Sequence, residues 1–147
     1  MCGGKTQLIS YSFENGLNIH EIKALYGGAN MTEYLKNVAE TAEGLANSTL
    51  MTARDDGRLI GVIRGVSDMH TILFIDDIVV LPEYQEDNVD VELVKQFTAY
   101  FRQVGRVIAF GRDPQTVDLL KKVGFTDSDK MRQECLVRPQ QILEIKY

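Results

Sequence analysis

The chain has 147 residues, of which 44% are hydrophobic and 25% charged, with 16 Lys and Arg against 21 Asp and Glu for a net charge of -5. That length suits one domain over 1–147 with a single sizeable core that needs no staples. The acidic balance argues against a nucleic-acid or anionic-membrane partner, because such binding uses clustered Lys and Arg, and no apolar run long enough to span a bilayer or act as a leader is present. A soluble, cytoplasmic protein is expected.

A first strand is expected over 8–13. Asn18 is a fitting N-cap for a helix running to Tyr26, with Glu21 as its capping-box partner and Gly27-Gly28 as its end. Leu35, Val38, Ala39, Ala42 and Leu45 recur at helical spacing and predict a second helix over 32–46. Two strands, 49–54 and 58–66, flank Asp55-Asp56-Gly57, where the positive φ of a tight hairpin favours Asp and Gly. A third antiparallel strand follows over 72–80.

Val91, Val94, Phe97, Thr98 and Phe101 then form a helix face that ends before Gly105. A short buried strand over 107–110 comes next, and a strand, helix, strand crossover implies one parallel pair in an otherwise antiparallel sheet. Pro114 opens a helix to Val123 with Gly124 at its C-terminal cap. A final strand is expected over 130–137, closed by Pro139. Residues 140–147 would add a short strand by folding back or by pairing with a partner's sheet, which admits a homodimer. The fold class is α/β, with a mixed, mainly antiparallel sheet of six to seven strands flanked by helices.

Cys2 and Cys135 stand at opposite ends of the chain without C-x-x-C spacing or a Cys/His cluster, so neither a metal site nor a disulfide framework is expected. Cys135, in an apolar strand, reads as core filler. His20 and His70 read as surface or cap residues.

The chemistry-bearing stretch is Asp76-Asp77-Ile78-Val79-Val80-Leu81-Pro82-Glu83-Tyr84, followed by Gln85-Glu86-Asp87-Asn88-Val89-Asp90 at a helix entry. Farther on comes Asp113-Pro114-Gln115-Thr116-Val117-Asp118-Leu119-Leu120-Lys121-Lys122-Val123-Gly124-Phe125. This order resembles the GNAT-type acyl-CoA N-acyltransferase family. There a strand ending in D-L-x-V-x-P-E-Y meets R/Q-x-x-G-x-G/A, and a later helix reads N-x-x-A-x-x-L-Y-x-K-x-G-F. The D-x-x-V-x-P-E-Y and K-x-G-F pieces and Gln85 match. Asn88 and Asp90 stand where the family has glycines, Leu120 where it has tyrosine, and Asp113 where it has asparagine.

The resemblance implies transfer of an acetyl or other acyl group from acetyl-CoA, with coenzyme A as co-substrate, to a primary amine of a small molecule or peptide. It points to Ile78, Val79, Val80, Gln85, Glu86, Asp87, Asn88, Val89, Asp90 and Asp113 for coenzyme binding, and to Asp76 and Asp77 as catalytic. Asp76 is the first choice of base, because polyamine-acetylating relatives carry Glu-Asp here and use the first. Strand alternation would let only one of the two enter a given cleft, and pairing with an arginine such as Arg64 is the structural alternative. A bulge would free the N–H groups of Ile78 and Val80 for the thioester and pantetheine.

Charge speaks against a simple carry-over. Glu86, Asp87 and Asp90 have the wrong sign for a diphosphate, and they equally suit an acidic N-terminus that complements the helix dipole. Asn tolerates the left-handed region that glycine fills, whereas Leu120 cannot protonate a thiolate. The second expectation is therefore a degenerate, non-catalytic protein of the same fold acting as a binding or regulatory module.

Overall fold

The structure, a computed structural model, describes residues 8–138. Five strands, β1 (Ile9–Glu14), β2 (Thr49–Asp55), β3 (Arg58–Ser67), β4 (Ile72–Val80) and β5 (Arg106–Ala109), form one sheet in sequence order. The first three pairings are antiparallel and β4–β5 is parallel, as the crossover predicts. The helices are α1 (Ile19–Gly28), α2 (Val38–Ala46), the single turn α3 (Pro82–Gln85), α4 (Val89–Tyr100) and α5 (Pro114–Lys122).

Local chemistry explains the boundaries. The Asn18 side chain accepts the Glu21 N–H at 2.7 Å and starts α1, while the Glu21 carboxylate turns to Arg54 at 2.7 Å instead of completing a capping box. The β2–β3 turn has positive φ at both Asp56 and Gly57, the hairpin geometry whose twist matches that of the strands. Gly124, at φ 108, lets the Phe125 N–H reach the Leu120 carbonyl and the Gly124 N–H that of Lys121, closing α5 in a Schellman motif.

Two faces cover the sheet. Gly61 and Gly65 on β3 leave room for Leu93 and Phe97 of α4, with an added Cβ at 3.2 and 3.1 Å from them. On the other face lie α1 and α2, whose Ile22, Leu25, Tyr26 and Leu45 are fully buried. Apolar burial of this kind supplies most of the favourable free energy of folding.

Several expectations need correction. The sheet has five strands among the described residues, not six to seven. Residues 130–137 form no strand: a 3₁₀ turn spans Ser128–Met131, and the chain beyond it buries nothing, with Leu136 87% and Val137 67% exposed. A strand without a packed face lacks what stabilises it. Cys135 is accordingly exposed and free, not core filler. The segment 32–46 is a 3₁₀ turn (Thr32–Leu35) and a separate α2, because Asn37 leaves the helical region at φ -137 and caps α2 through the Glu40 N–H. The expected strand over 140–147, and any dimer built through it, lie outside the described residues.

Candidate active site

Sequence registers set the site. Across β3 and β4, Arg64 faces Asp77 but the next pair is Gly65 with Ile75, so Asp76 is an extra residue bulged from β4. The main-chain bonds record the change of phase. The Leu81 N–H donates to Ile60 on β3, whereas the Ile75 carbonyl accepts from Phe110 beyond β5. Residues six apart on an unbroken strand would face the same edge.

Past the bulge, β5 departs. Its pairing with β4 covers Ile72 to Ile75 only, while β4 continues to Val80. Because Leu81 bonds β3, alternation turns the main-chain groups of Ile78 and Val80 to the opposite edge, from which β5 has gone. Val79 is in register with Val62 in the β3 ladder. The gap opens into a cleft of about 500 Å³. Its walls include Asn30 and Met31 after α1, Ile78 to Val80, Gln85, Asp90, Phe110, Arg112 and the start of α5.

At the inner end of the cleft sits a compact ion cluster. The Arg64 guanidinium donates from Nε to Asp77 at 2.9 Å and from Nη2 to Asp76 at 2.8 Å. Arg112 donates from Nη2 to both, at 3.2 Å to Asp76 and 3.1 Å to Asp77. Asp77, only 1% exposed, also accepts the hydroxyls of Tyr34 at 2.8 Å and Tyr26 at 3.3 Å. All four of its lone-pair directions are taken, two on each oxygen; Asp76 accepts one bond on each oxygen and keeps the rest.

Burial, then the neighbouring Asp77 charge, raises the Asp76 carboxyl above its ordinary value despite the two arginines. Burial, then Asp77, also raises both tyrosines, which keeps their hydroxyls as donors. For Arg64, burial acts to lower the guanidinium, but the Asp77 and Asp76 charges outweigh it and hold the group up.

Of the residues singled out from the sequence, Ile78, Val79, Val80, Gln85, Asp90 and Asp113 line the cleft. Asp76 and Asp77 are not part of its wall and reach it through Arg112. Strand alternation would let only one of them enter a given cleft; neither lines this one, and the bulge brings both onto the same two arginines. Glu86, Asp87, Asn88 and Val89 are off the wall; the first three are exposed and Val89 is buried. Asn88 takes φ 60, the left-handed conformation that a glycine would supply.

Two of these carboxylates bond main-chain N–H groups, Asp90 within the first turn of α4 and Asp113 as the N-cap of α5. The Asp90 carboxylate accepts the Val91 N–H at 2.8 Å, and that of Asp113 the Thr116 N–H at 2.8 Å. The N–H groups of Val89 and Asp90 have no partner among the described residues. Leu119, not Leu120, faces the cleft; Leu120 lines a groove on the far side of β5. No tyrosine lines the cleft among the described residues: Tyr84 bonds Asp55, and Tyr100 packs on Phe13.

Sequence reasoning missed Arg112, Tyr34 and Gln115. Gln115 donates to Gln85 at 2.6 Å across the cleft, and Gln85 donates to the Val80 carbonyl at 3.4 Å. The one available signal was the adjacent Asp pair inside an apolar strand, which demands cations from elsewhere in the chain.

The model of the acetyltransferase (GNAT) family matches residues 18–125. The chain belongs to that family. No curated protein matches it. Among solved structures, a GNAT family acetyltransferase from Streptococcus pneumoniae TIGR4 is 19% identical and superposes with TM-score 0.75 over 91% of this chain and 99% of that one. A probable acetyltransferase from Staphylococcus aureus is 23% identical, with TM-score 0.71 over 90% and 100%. An aminoglycoside N-acetyltransferase in complex with CoA is 16% identical, with TM-score 0.60 over 94% and 97%. At these identities the likeness is one of fold, and the parting of β4 and β5 in this GNAT chain comes from its own register.

Proposed function

We propose that this protein transfers an acetyl group from acetyl-CoA to a primary amine of a small molecule or peptide. The observation that carries the reading is the cleft where β5 leaves β4, with the main chain of Ile78 and Val80 turned into it and Asp90, whose N–H has no partner among the described residues, on its wall. An amide-bearing pantetheine arm fits an open strand edge, which offers alternating donors and acceptors. The start of α4 offers a diphosphate the positive end of a helix dipole.

Acetyl-CoA supplies the activated acyl carbon. The Ile78 N–H, on the open edge, polarises the thioester oxygen. Asp76, with lone pairs to spare and a raised proton affinity, takes the ammonium proton so that the amine can attack; the new C–N bond forms as the C–S bond breaks. Asp77 holds Arg64 and the tyrosines in position and has no lone pair left for substrate. With no tyrosine on the cleft wall among the described residues to protonate it, the thiolate leaves into water.

Binding without turnover is the second reading, and particular contacts favour it. The Asp90 carboxylate occupies the Val91 N–H, Gln85 and Gln115 bridge the cleft, and both oxygens of the proposed base Asp76 are already bonded to arginine. Calorimetric titration with acetyl-CoA followed by a thiol-release assay over an amine panel separates the cases. Heat with thiol release supports the enzyme; heat alone supports the binding module. No heat and no thermal shift at millimolar acetyl-CoA overturns coenzyme binding.

A further inference from the structure

Arg112 is the only member of the ion cluster that also forms part of the cleft wall. Its guanidinium carbon lies 5.2 Å from the centre of the Tyr34 ring and 5.4 Å from that of Phe110, within the range of a cation–π contact. Two carboxylates and two aromatic faces thus surround one cation. It is held less firmly than its counterpart: Arg64 grips with two nitrogens at 2.8 and 2.9 Å and is 18% exposed, whereas Arg112 uses one nitrogen at 3.2 and 3.1 Å and is 28% exposed. Arg112 also stands on the short connection between β5 and α5, outside any ladder or helix.

We propose that the space bounded by Asp76, Asp77, Tyr34 and Phe110 is a binding site for an alkylammonium group, which the Arg112 side chain fills until a ligand displaces it into the cleft. Charge balance requires an occupant. The buried Asp77 and the partly buried Asp76 against Arg64 alone would leave a net negative charge largely withdrawn from water, so Arg112 leaves only when another cation arrives. Asp76 makes the exchange possible, since its remaining lone pairs can bond the incoming ammonium before Arg112 has gone. As a statement about the acyl acceptor, this rests on the acetyl-transfer reading and narrows the acceptor to amines that enter as cations; as a statement about binding, it stands without it.

The test uses the full chain, without acetyl-CoA, and n-propylammonium chloride as the probe against sodium chloride at equal ionic strength. In the native protein, the nitrogen NMR signal of the Arg112 Nε–H is expected to move saturably with n-propylammonium, in step with the Asp76 amide. In Arg112→Ala the probe is expected to bind at least tenfold more tightly, and in Arg112→Ala with Asp76→Asn this gain is expected to disappear. Arg112→Gln serves the same purpose if the alanine variant does not fold. An Arg112 signal that responds no more to n-propylammonium than to sodium overturns the proposal, as does a gain that survives loss of Asp76. Failure of acetyl transfer leaves these readouts unaffected, so the two readings fall separately.

Discussion

Asp76 and Asp77 are neighbours on one strand, yet both carboxylates meet the guanidiniums of Arg64 and Arg112. An ordinary pleat would send them to opposite faces; the bulge opposite Arg64 rotates Asp76 back toward its neighbour. Asp77 is thereby anchored and Asp76 left with bonding capacity.

The anchor has a large expected energetic signature. Arg64→Met removes one partner of a carboxylate that is 1% exposed, and breaking such a buried pair costs about 3–5 kcal/mol. Urea unfolding at pH 7 should show a loss of that order, partly recovered when Asp77→Asn is added. A loss below about 1 kcal/mol would mean that the cluster behaves as a solvated surface pair.

Asp76 should also mark the pH dependence of stability. Its folded-state pKa is raised above the ordinary 3.8 by burial and by Asp77, with Arg64 and Arg112 opposing. The folded state then holds the proton more tightly than the unfolded one, so this contribution is fully present below pH 3.8 and is lost as pH rises through the raised value. Relative to Asp76→Asn, the native protein should lose stability across that window in urea titrations at a series of pH values. The opposite slope would place the carboxylate under the control of the arginines. If Asp76 is the base, the same variant lowers kcat/KM by about 10²–10⁴.

The acidic loop should weaken coenzyme binding unequally. Asp90 lines the cleft, while Glu86 and Asp87 are exposed and off its wall. Unit charges about 6 Å apart interact by roughly 0.7 kcal/mol in water and about 3 kcal/mol at an effective dielectric of 20. Asp90→Asn should therefore tighten acetyl-CoA by about tenfold, between those limits, while Glu86→Gln with Asp87→Asn gives about threefold or less, fading with added salt. Calorimetry at two salt concentrations distinguishes the two; equal effects would mean that the diphosphate meets the loop from outside.

Asn88 holds a backbone conformation that most residues resist. At φ 60, Asn88→Val should cost about 1–2 kcal/mol in thermal or urea unfolding, with Asn88→Gly near neutral, since glycine adopts that region freely. Equal stability of both variants would show that the left-handed turn does not persist in solution.

Much of the fold was legible because its signals are local. Asn18 caps its helix, Asp56-Gly57 turns its hairpin, Gly124 closes α5, and β4 and β5 pair in parallel as the intervening helix requires. The reading failed where local pattern met no packing. The apolar alternation around Cys135 and Leu136 resembles a strand, but nothing in the described structure covers it. The helix expected over 32–46 likewise splits where Asn37 caps α2.

By itself, the sequence determined the element types from β1 to α5 apart from the split of 32–46, the single parallel step and the family's strand-end motif, because propensity, capping and turn chemistry act within a few residues along the chain. Only the tertiary structure decided which carboxylate is anchored and which has lone pairs to spare. That depends on a one-residue bulge, on tyrosines 51 and 43 positions from Asp77 and on an arginine 35 positions from it. Such partners are selected by the sheet register and by the cost of burying charge unpaired, and no local spacing encodes either.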